Sequence, residues 1–214
     1  MTGIIFDVDG TLWDSTEQVA VSWNRCLRET TELDVVLTGA RLGKEFGKPL
    51  PEIIRNLFPD LPEKEREILG EKLYRYENAW ISKAPCILYE GMKETIAALS
   101  MQYPLYIVSN CQSGYIEAFL ENTGLQEYFR DHACPGDTGL LKADNIRIMM
   151  ERNRLDHAVY VGDTQGDADA CREAGVPMIY CAYGLGEVTG DYATIHRFPK
   201  WTILQAIIKT YLET

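Results

Sequence analysis

Four short stretches, GIIFDVD (3–9), PLYIVSN (104–110), AVYVGD (158–163) and PMIYCAY (177–183), set the tightest limit on how this chain can fold. Each opens as a nearly unbroken apolar run of strand length, and sequence of helical period lies between them. A strand with one wet face alternates apolar and polar residues, whereas a strand covered on both faces does not. A shorter run, HAC (132–134), falls between the second and third. Buried strands alternating with helices specify a parallel sheet with helices on both faces. The expected fold class is therefore α/β, a doubly wound, Rossmann-like parallel sheet.

One long stretch interrupts that alternation. Residues 15–85 carry helical signals only. Ser15 and Gln18 stand at capping-box spacing, and Val19, Trp23, Cys26 and Leu27 continue one apolar face to about residue 30. Leu42 and Phe46 suggest a short helix closed by Gly47-Lys48-Pro49. Pro51 suits a first helical turn, with Ile53, Ile54, Leu57 and Phe58 behind it. Pro62 opens a longer helix with Leu69, Leu73, Tyr76 and Trp80 on one stripe. The expected organisation is a core of residues 1–14 and 86–214 with an α-helical insert, residues 15–85, after the first strand. The length of 214 residues suits a domain with a large insert. A last helix is expected from Trp201 to Leu212.

The net charge of −11 argues against a nucleic-acid or anionic-membrane partner, since both need basic patches. Six cysteines without C-x-x-C spacing suggest neither a zinc site nor a disulfide framework. Reduced, packed thiols and a cytoplasmic location are expected. No apolar stretch reaches the roughly 18–20 residues of a membrane span, and no leader-like segment opens the chain.

In an open parallel sheet, ligands bind beyond the carboxyl ends of the strands. The first strand ends at Asp7 and Asp9, and the second at Ser109-Asn110. Lys142 opens the helix after the short run 132–134, and the strand 158–163 ends at Asp163, with Asp167 four residues on. Parallel topology gathers these distant residues in one crevice. Clustered carboxylates repel in a partly dry site, and a divalent cation removes the conflict. Oxygen ligands without histidine or cysteine suit Mg²⁺, which favours one or two carboxylates, water and a substrate phosphate. The metal and Lys142 would give an acidic protein a local positive field for a phosphate. If the backbone stays extended, Asp7 and Asp9 point to the same side. One carboxylate can then attack phosphorus while the other protonates the leaving oxygen and later deprotonates water. The Thr11 or Ser109 hydroxyl and backbone N–H groups can hold the transferring oxygens.

With these motifs in order (DVDGT, VSN, Lys142 and GDTQGD) the chain resembles the haloacid dehalogenase-like phosphatases, in the phosphoglycolate phosphatase and β-phosphoglucomutase branch. The resemblance implies an α-helical cap in the early insert. It implies Asp7 as nucleophile and metal ligand, and Asp9 as general acid/base with its backbone carbonyl on the metal. Ser109 would hydrogen-bond the phosphoryl group, and Asn110 would support it or the substrate. Lys142 would neutralise phosphoryl charge and steady Asp7. Asp163 would be the other protein ligand of Mg²⁺, and Asp167 would hold a metal-bound water or orient Lys142. One departure is Ala143, where the family often has proline.

The expected reaction is Mg²⁺-dependent hydrolysis of a small phosphorylated metabolite, phosphoglycolate-like or a sugar phosphate. The alternative is a phosphomutase using the same aspartyl-phosphate. A receiver-type signalling module also combines aspartates, a hydroxyl and a lysine, but Asp9 and the large insert count against it. Dehalogenation needs neither Asp9 nor a metal-binding carboxylate. The loop GKEFGKP (43–49) is the candidate cap tip, with Lys44 and Lys48 for an anionic substrate. AYGLGE (182–187) either lines the crevice or only turns the chain. The expected state is a monomer or small homo-oligomer.

Overall fold

The computed structural model of the chain describes residues 1–197, 204 and 207–210. Six strands form one parallel sheet: β1 (Thr2–Phe6), β4 (Leu105–Val108), β5 (Phe129–Ala133), β6 (His157–Gly162), β7 (Met178–Cys181) and β8 (Ala193–Ile195). Their order is β5-β4-β1-β6-β7-β8, so the chain winds outward from β1 in both directions and the crevice lies at the central switch point. The strands alternate their apolar residues between two faces. Ile5, Tyr106, Val108 and Tyr160 share a core with Ala143, Ile146 and Met149 of α8 (Lys142–Arg152) and with Ala168 and Cys171 of α9 (Gln165–Ala174). Ile4, Phe6, Ile107 and Val161 face the opposite core, with Ile96 of α5 (Met92–Ser100) and Phe119 of α6 (Tyr115–Thr123). That two-sided burial is why these strands lack polar alternation.

Two short strands were not legible in the sequence. β2 (Trp13–Asp14) pairs antiparallel with β3 (Ile87–Leu88). Between them lie four helices: α1 (Thr16–Thr30), α2 (Gly39–Gly43), α3 (Leu50–Leu57) and α4 (Glu63–Ile81). The outgoing and returning chain segments thus cross side by side. Strand β8 and the four-residue helix α7 (Pro135–Thr138) are also additional to the expected elements. The helix expected from Trp201 to Leu212 falls mostly outside the described residues, of which 204 and 207–210 are helical. No helix among the described residues is long and apolar enough to cross a membrane.

Three local expectations are corrected. β1 ends at Phe6 and the chain bends at Val8, so Asp7 and Asp9 are not consecutive same-side residues of one extended strand. Ser15 does not build a capping box, because its side chain makes no cap hydrogen bond. Asp14 Oδ1 instead accepts from Thr16 N at 3.0 Å and Thr16 Oγ1 at 2.7 Å. The buried stripe of α4 runs through Leu69, Leu73, Glu77 and Ile81. Tyr76 and Trp80 stand at its margin, where Tyr76 Oη donates to Glu29 and Trp80 Nε1 to Gln18. Polar ring atoms favour such a margin, since full burial would strand them without a partner.

Candidate active site

The carboxyl edge of the sheet is where the sequence-predicted residues meet. Asp7 follows β1 and is 3% exposed. Lys142, the first residue of α8, sets its ammonium 3.3 Å from Asp7 Oδ1 and 2.5 Å from Asp167 Oδ1. Ser109 is buried just after β4 and lines the same cavity as the Asp7 carboxyl. Asp163 follows β6, and its two oxygens accept from Thr11 Oγ1 at 2.9 Å and from Leu185 N at 2.8 Å. The loop 182–187 therefore lines the crevice. It does so at close quarters: a Cβ on Gly184 would sit 2.4 Å from that of Asp163. Gly10, at φ +79°, faces Asp163 from the other side, where a Cβ would stand 2.1 Å from Oδ2. Only glycine fits that positive φ and that approach.

Asp167 has both oxygens engaged. Oδ1 accepts from Lys142 and, at 3.3 Å, from Tyr160 Oη. Oδ2 accepts from Thr164 N at 2.9 Å and Thr164 Oγ1 at 2.8 Å, as part of the capping box that opens α9. The same carboxylate thus starts a helix and fixes the ammonium of a distant lysine. Thr11 is likewise committed: its hydroxyl belongs to Asp163, not to the open side of the crevice.

Asp9 stands apart from that cluster and is held by residues that sequence reasoning missed. Its Oδ1 accepts from Trp13 Nε1 at 3.0 Å, Ser15 Oγ at 2.5 Å and Tyr115 Oη at 2.7 Å. Tyr115 comes from the start of α6, and no local signal links it to the first strand. Ser15 carries a misleading local signal, because it has the residue type and spacing of a helix cap.

Burial dominates the electrostatics. It pushes the Asp7 carboxyl up to about 7, against the pull of Lys142. It lifts Asp9 to about 6 despite the three donors, and Asp163 well above the usual carboxylate range. For Asp167, burial is outweighed by Lys142 and by the Thr164 hydrogen bonds, so the group lies below its ordinary value. For Lys142, the adjacent Asp167 and Asp7 overcome burial and raise it.

Carboxylate oxygens of Asp7, Asp163 and Asp167 all lie within 4.8 Å of one another. Asp7 Oδ1 is buried with no hydrogen-bond partner. A buried oxygen that takes no hydrogen bond, beside further carboxylate oxygens and with no histidine or cysteine in the group, fits a hard divalent cation. Asp7 and Asp163 have the chemistry to hold it: each Asp163 oxygen takes one hydrogen bond and keeps a lone pair, whereas Asp167 is tied up by the Lys142 ammonium and by two Thr164 donors.

Helices α1, α3 and α4 roof the site. Between roof and sheet edge lies a cavity of about 30 Å³, room for a couple of waters. Asp7, Asp9, Ser109 and Asn110 line its floor, and Trp23, Phe46, Leu50, Ile53 and Glu77 line the roof. The loop 43–49 reaches the floor directly, because Asn110 Nδ2 donates to Gly47 O at 2.8 Å. Its lysines do not enter the inner cavity. They border an outer groove that shares Phe46, Gly47, Leu50 and Asn110 with it; there Lys48 pairs with Glu45 at 2.8 Å and Lys44 is exposed. Cys111 is a buried wall residue, and none of the six cysteines is disulfide-bonded.

Comparison with known proteins shows the family of the chain and its fold. A family model described as haloacid dehalogenase-like hydrolase matches residues 4–181. The phosphoglycolate phosphatase of Photobacterium profundum is 30% identical over 196 residues, covering 85% of this chain and 83% of that one. Among solved structures, a predicted phosphoglycolate phosphatase from Haemophilus somnus 129pt has a TM-score of 0.80 at 22% identity, covering 95% of this chain and 96% of that chain. A haloacid dehalogenase-like family hydrolase from Streptococcus pneumoniae has a TM-score of 0.78 at 22% identity, covering 96% and 98% respectively.

Proposed function

The chain belongs to the haloacid dehalogenase-like hydrolase family and is a phosphatase of it; we propose that it hydrolyses a small phosphorylated metabolite with Mg²⁺, through an aspartyl-phosphate on Asp7. The observation that carries this reading is the state of Asp7. It is buried, backed by Lys142 at 3.3 Å, and its Oδ1 is free of hydrogen bonds on the cavity floor. An Asp7 oxygen that meets only the Lys142 ammonium keeps a nucleophilic lone pair.

In the proposed reaction the Asp7 carboxylate attacks phosphorus and the bond to the leaving oxygen breaks. Asp9 gives its proton to that oxygen. The Asp9 carboxylate then takes a proton from a water molecule, which attacks phosphorus, breaks the bond to Asp7 and frees inorganic phosphate. Ser109 Oγ and backbone N–H donors beside β4 suit the equatorial oxygens, and Lys142 offsets the charge that builds there. Asp167 acts through Lys142 by fixing its ammonium. When bound by Asp7, Asp163 and the Asp9 carbonyl, Mg²⁺ supplies charge stabilisation for the phosphoryl group.

Residues 15–85 serve in this proposal as a cap on the core of 1–14 and 86–214. The inner cavity is narrow under the roof, and in this proposal α1–α4 lift for substrate entry and product release. The paired segments β2 and β3 are the natural pivot, since both connections pass through them. The Asn110–Gly47 hydrogen bond closes the cap again. Closure excludes bulk water from the acyl phosphate while admitting the one that hydrolyses it.

The test is phosphate release from p-nitrophenyl phosphate and a panel of phosphorylated metabolites, with Mg²⁺ and with EDTA. Mg²⁺-dependent release is the expected result. Isomerisation of a sugar phosphate without release would make the chain a mutase, and no turnover across the panel would refute the reading.

A further inference from the structure

The roof of the inner cavity carries a group that the reaction does not use. Glu77 lies in the apolar stripe of α4, 5% exposed, between Leu73 and Ile81. Among the described residues it makes no ion pair; its Oε2 accepts from Trp23 Nε1 at 2.5 Å, and burial pushes the carboxyl up to about 8. A buried carboxyl without a cation is costly to retain for packing alone.

Gln112 adds an independent observation. Asn78 Nδ2 donates to Ser113 O at 2.7 Å, which turns its Oδ1 toward Gln112. Gln112 Nε2 donates to that Oδ1 at 2.9 Å, so the orientation of the glutamine amide is fixed. Its Oε1 is buried and has no hydrogen-bond partner. Both residues line the inner cavity, together with Asp9.

The polar groups that the cavity presents to an organic group are therefore mainly acceptors. No lysine, arginine or histidine is among the described residues that line it. Lys142 is occupied by Asp7 and Asp167, and Lys48 by Glu45 in the outer groove. A hydroxyl on the substrate would satisfy the vacant acceptor of Gln112 and the carboxyl of Glu77. A substrate carboxylate would instead set one more acceptor against Gln112 Oε1 and the Asp9 carboxyl, with no cationic side chain among the described lining residues to neutralise it.

Resting on the phosphatase reading above, we propose that the preferred substrate has an organic part bearing free hydroxyls and no carboxylate, and that Glu77 and Gln112 determine this specificity. Phosphoglycolate, the substrate named for the relative from Photobacterium profundum, has its carboxylate one methylene from the ester oxygen. That short reach holds the carboxylate close to the reacting phosphorus, among the residues that line the inner cavity.

The experiment compares kcat/KM for glycerol phosphate, erythritol phosphate and ribose 5-phosphate with that for phosphoglycolate, using the full chain with Mg²⁺. p-Nitrophenyl phosphate serves as a control for the chemistry. A preference of about 10²-fold or more for at least one hydroxylated substrate is expected. If the control is hydrolysed and phosphoglycolate equals or exceeds all three, the specificity inference fails while the phosphatase reading stands. If neither the control nor any substrate turns over, both fail. Glu77→Gln and Gln112→Leu supply the second measurement. Recognition by these residues predicts that the hydroxylated-to-phosphoglycolate ratio falls about tenfold, mainly through KM of the hydroxylated substrate. A purely structural role would lower both substrates together, and an unchanged ratio in both folded variants overturns the proposal.

Discussion

Replacing Lys142 by methionine removes one charge from a site that holds three buried carboxyls, and the cost can be worked from two distances. The ammonium stands 3.3 Å from Asp7 Oδ1 and 2.5 Å from Asp167 Oδ1. At an effective dielectric of about 20, these separations correspond to ~5 and ~7 kcal/mol of Coulomb attraction. The net loss is smaller, because a carboxylate stripped of its cation takes up a proton. Breaking a buried pair costs about 3–5 kcal/mol, which is the expected destabilisation of metal-free Lys142→Met near neutral pH. The pH dependence has a definite sign. Asp167 lies below its ordinary value in the folded chain, so its contribution is present above the unfolded value and is lost as pH falls through the folded one. Lys142 lies above its ordinary value, so its share is intact throughout this range. Without the lysine, Asp7 and Asp167 both hold protons at higher pH. The difference between variant and wild type therefore shrinks by about 1.4 kcal/mol per pH unit, on acidification, for each extra proton the variant holds. Urea unfolding without metal, at about pH 7.5 and about pH 4.5, measures it. Equal stability at the higher pH, or a difference independent of pH, would refute the reasoning. With Mg²⁺ present, kcat should fall by about 10²–10³.

Three further outcomes are expected. Asp7→Asn abolishes turnover, while the melting temperature of the metal-free protein stays level or rises, because burial already pushes the Asp7 carboxyl up to about 7; retained hydrolysis would remove Asp7 as nucleophile. Mg²⁺ must displace protons from Asp7 and from Asp163, which lies well above its usual range. Its apparent Kd should therefore weaken about tenfold per pH unit below about 7 for each proton displaced, and titration calorimetry giving the same Kd at pH 6 and 8 would contradict this. Gly10→Ala meets a positive φ and Asp163 Oδ2 at 2.1 Å. It should destabilise the chain by about 1–3 kcal/mol from the backbone alone and weaken Mg²⁺ binding; a variant with unchanged melting temperature and Mg²⁺ affinity would show that the approach is not tight.

Much of the architecture was legible because it is written in short-range patterns. A run such as LYIV is apolar at every position only if both faces are covered, and Leu105–Val108 is buried at every position. The sequence also indicated which residues end at the sheet edge, since parallel strands align their carboxyl ends. It was less informative about the partners of those residues. Ser15 has the residue type and spacing of a helix cap, yet its hydroxyl serves Asp9. Thr11 stands beside the two aspartates, yet its hydroxyl serves Asp163.

The sequence alone determined the class of fold, the helical character of residues 15–85 and the set of acidic and polar residues at the strand ends. Tertiary structure decided what each carboxylate oxygen meets, that Tyr115 holds Asp9, that Lys44 and Lys48 lie outside the inner cavity, and that Glu77 and Gln112 line it. The physical reason is range. Periodicity and turn chemistry act over a few neighbouring residues, whereas hydrogen-bond partners such as Asp9 and Tyr115 are 106 positions apart. Only packing fixes which of several chemically equivalent donors arrives within reach.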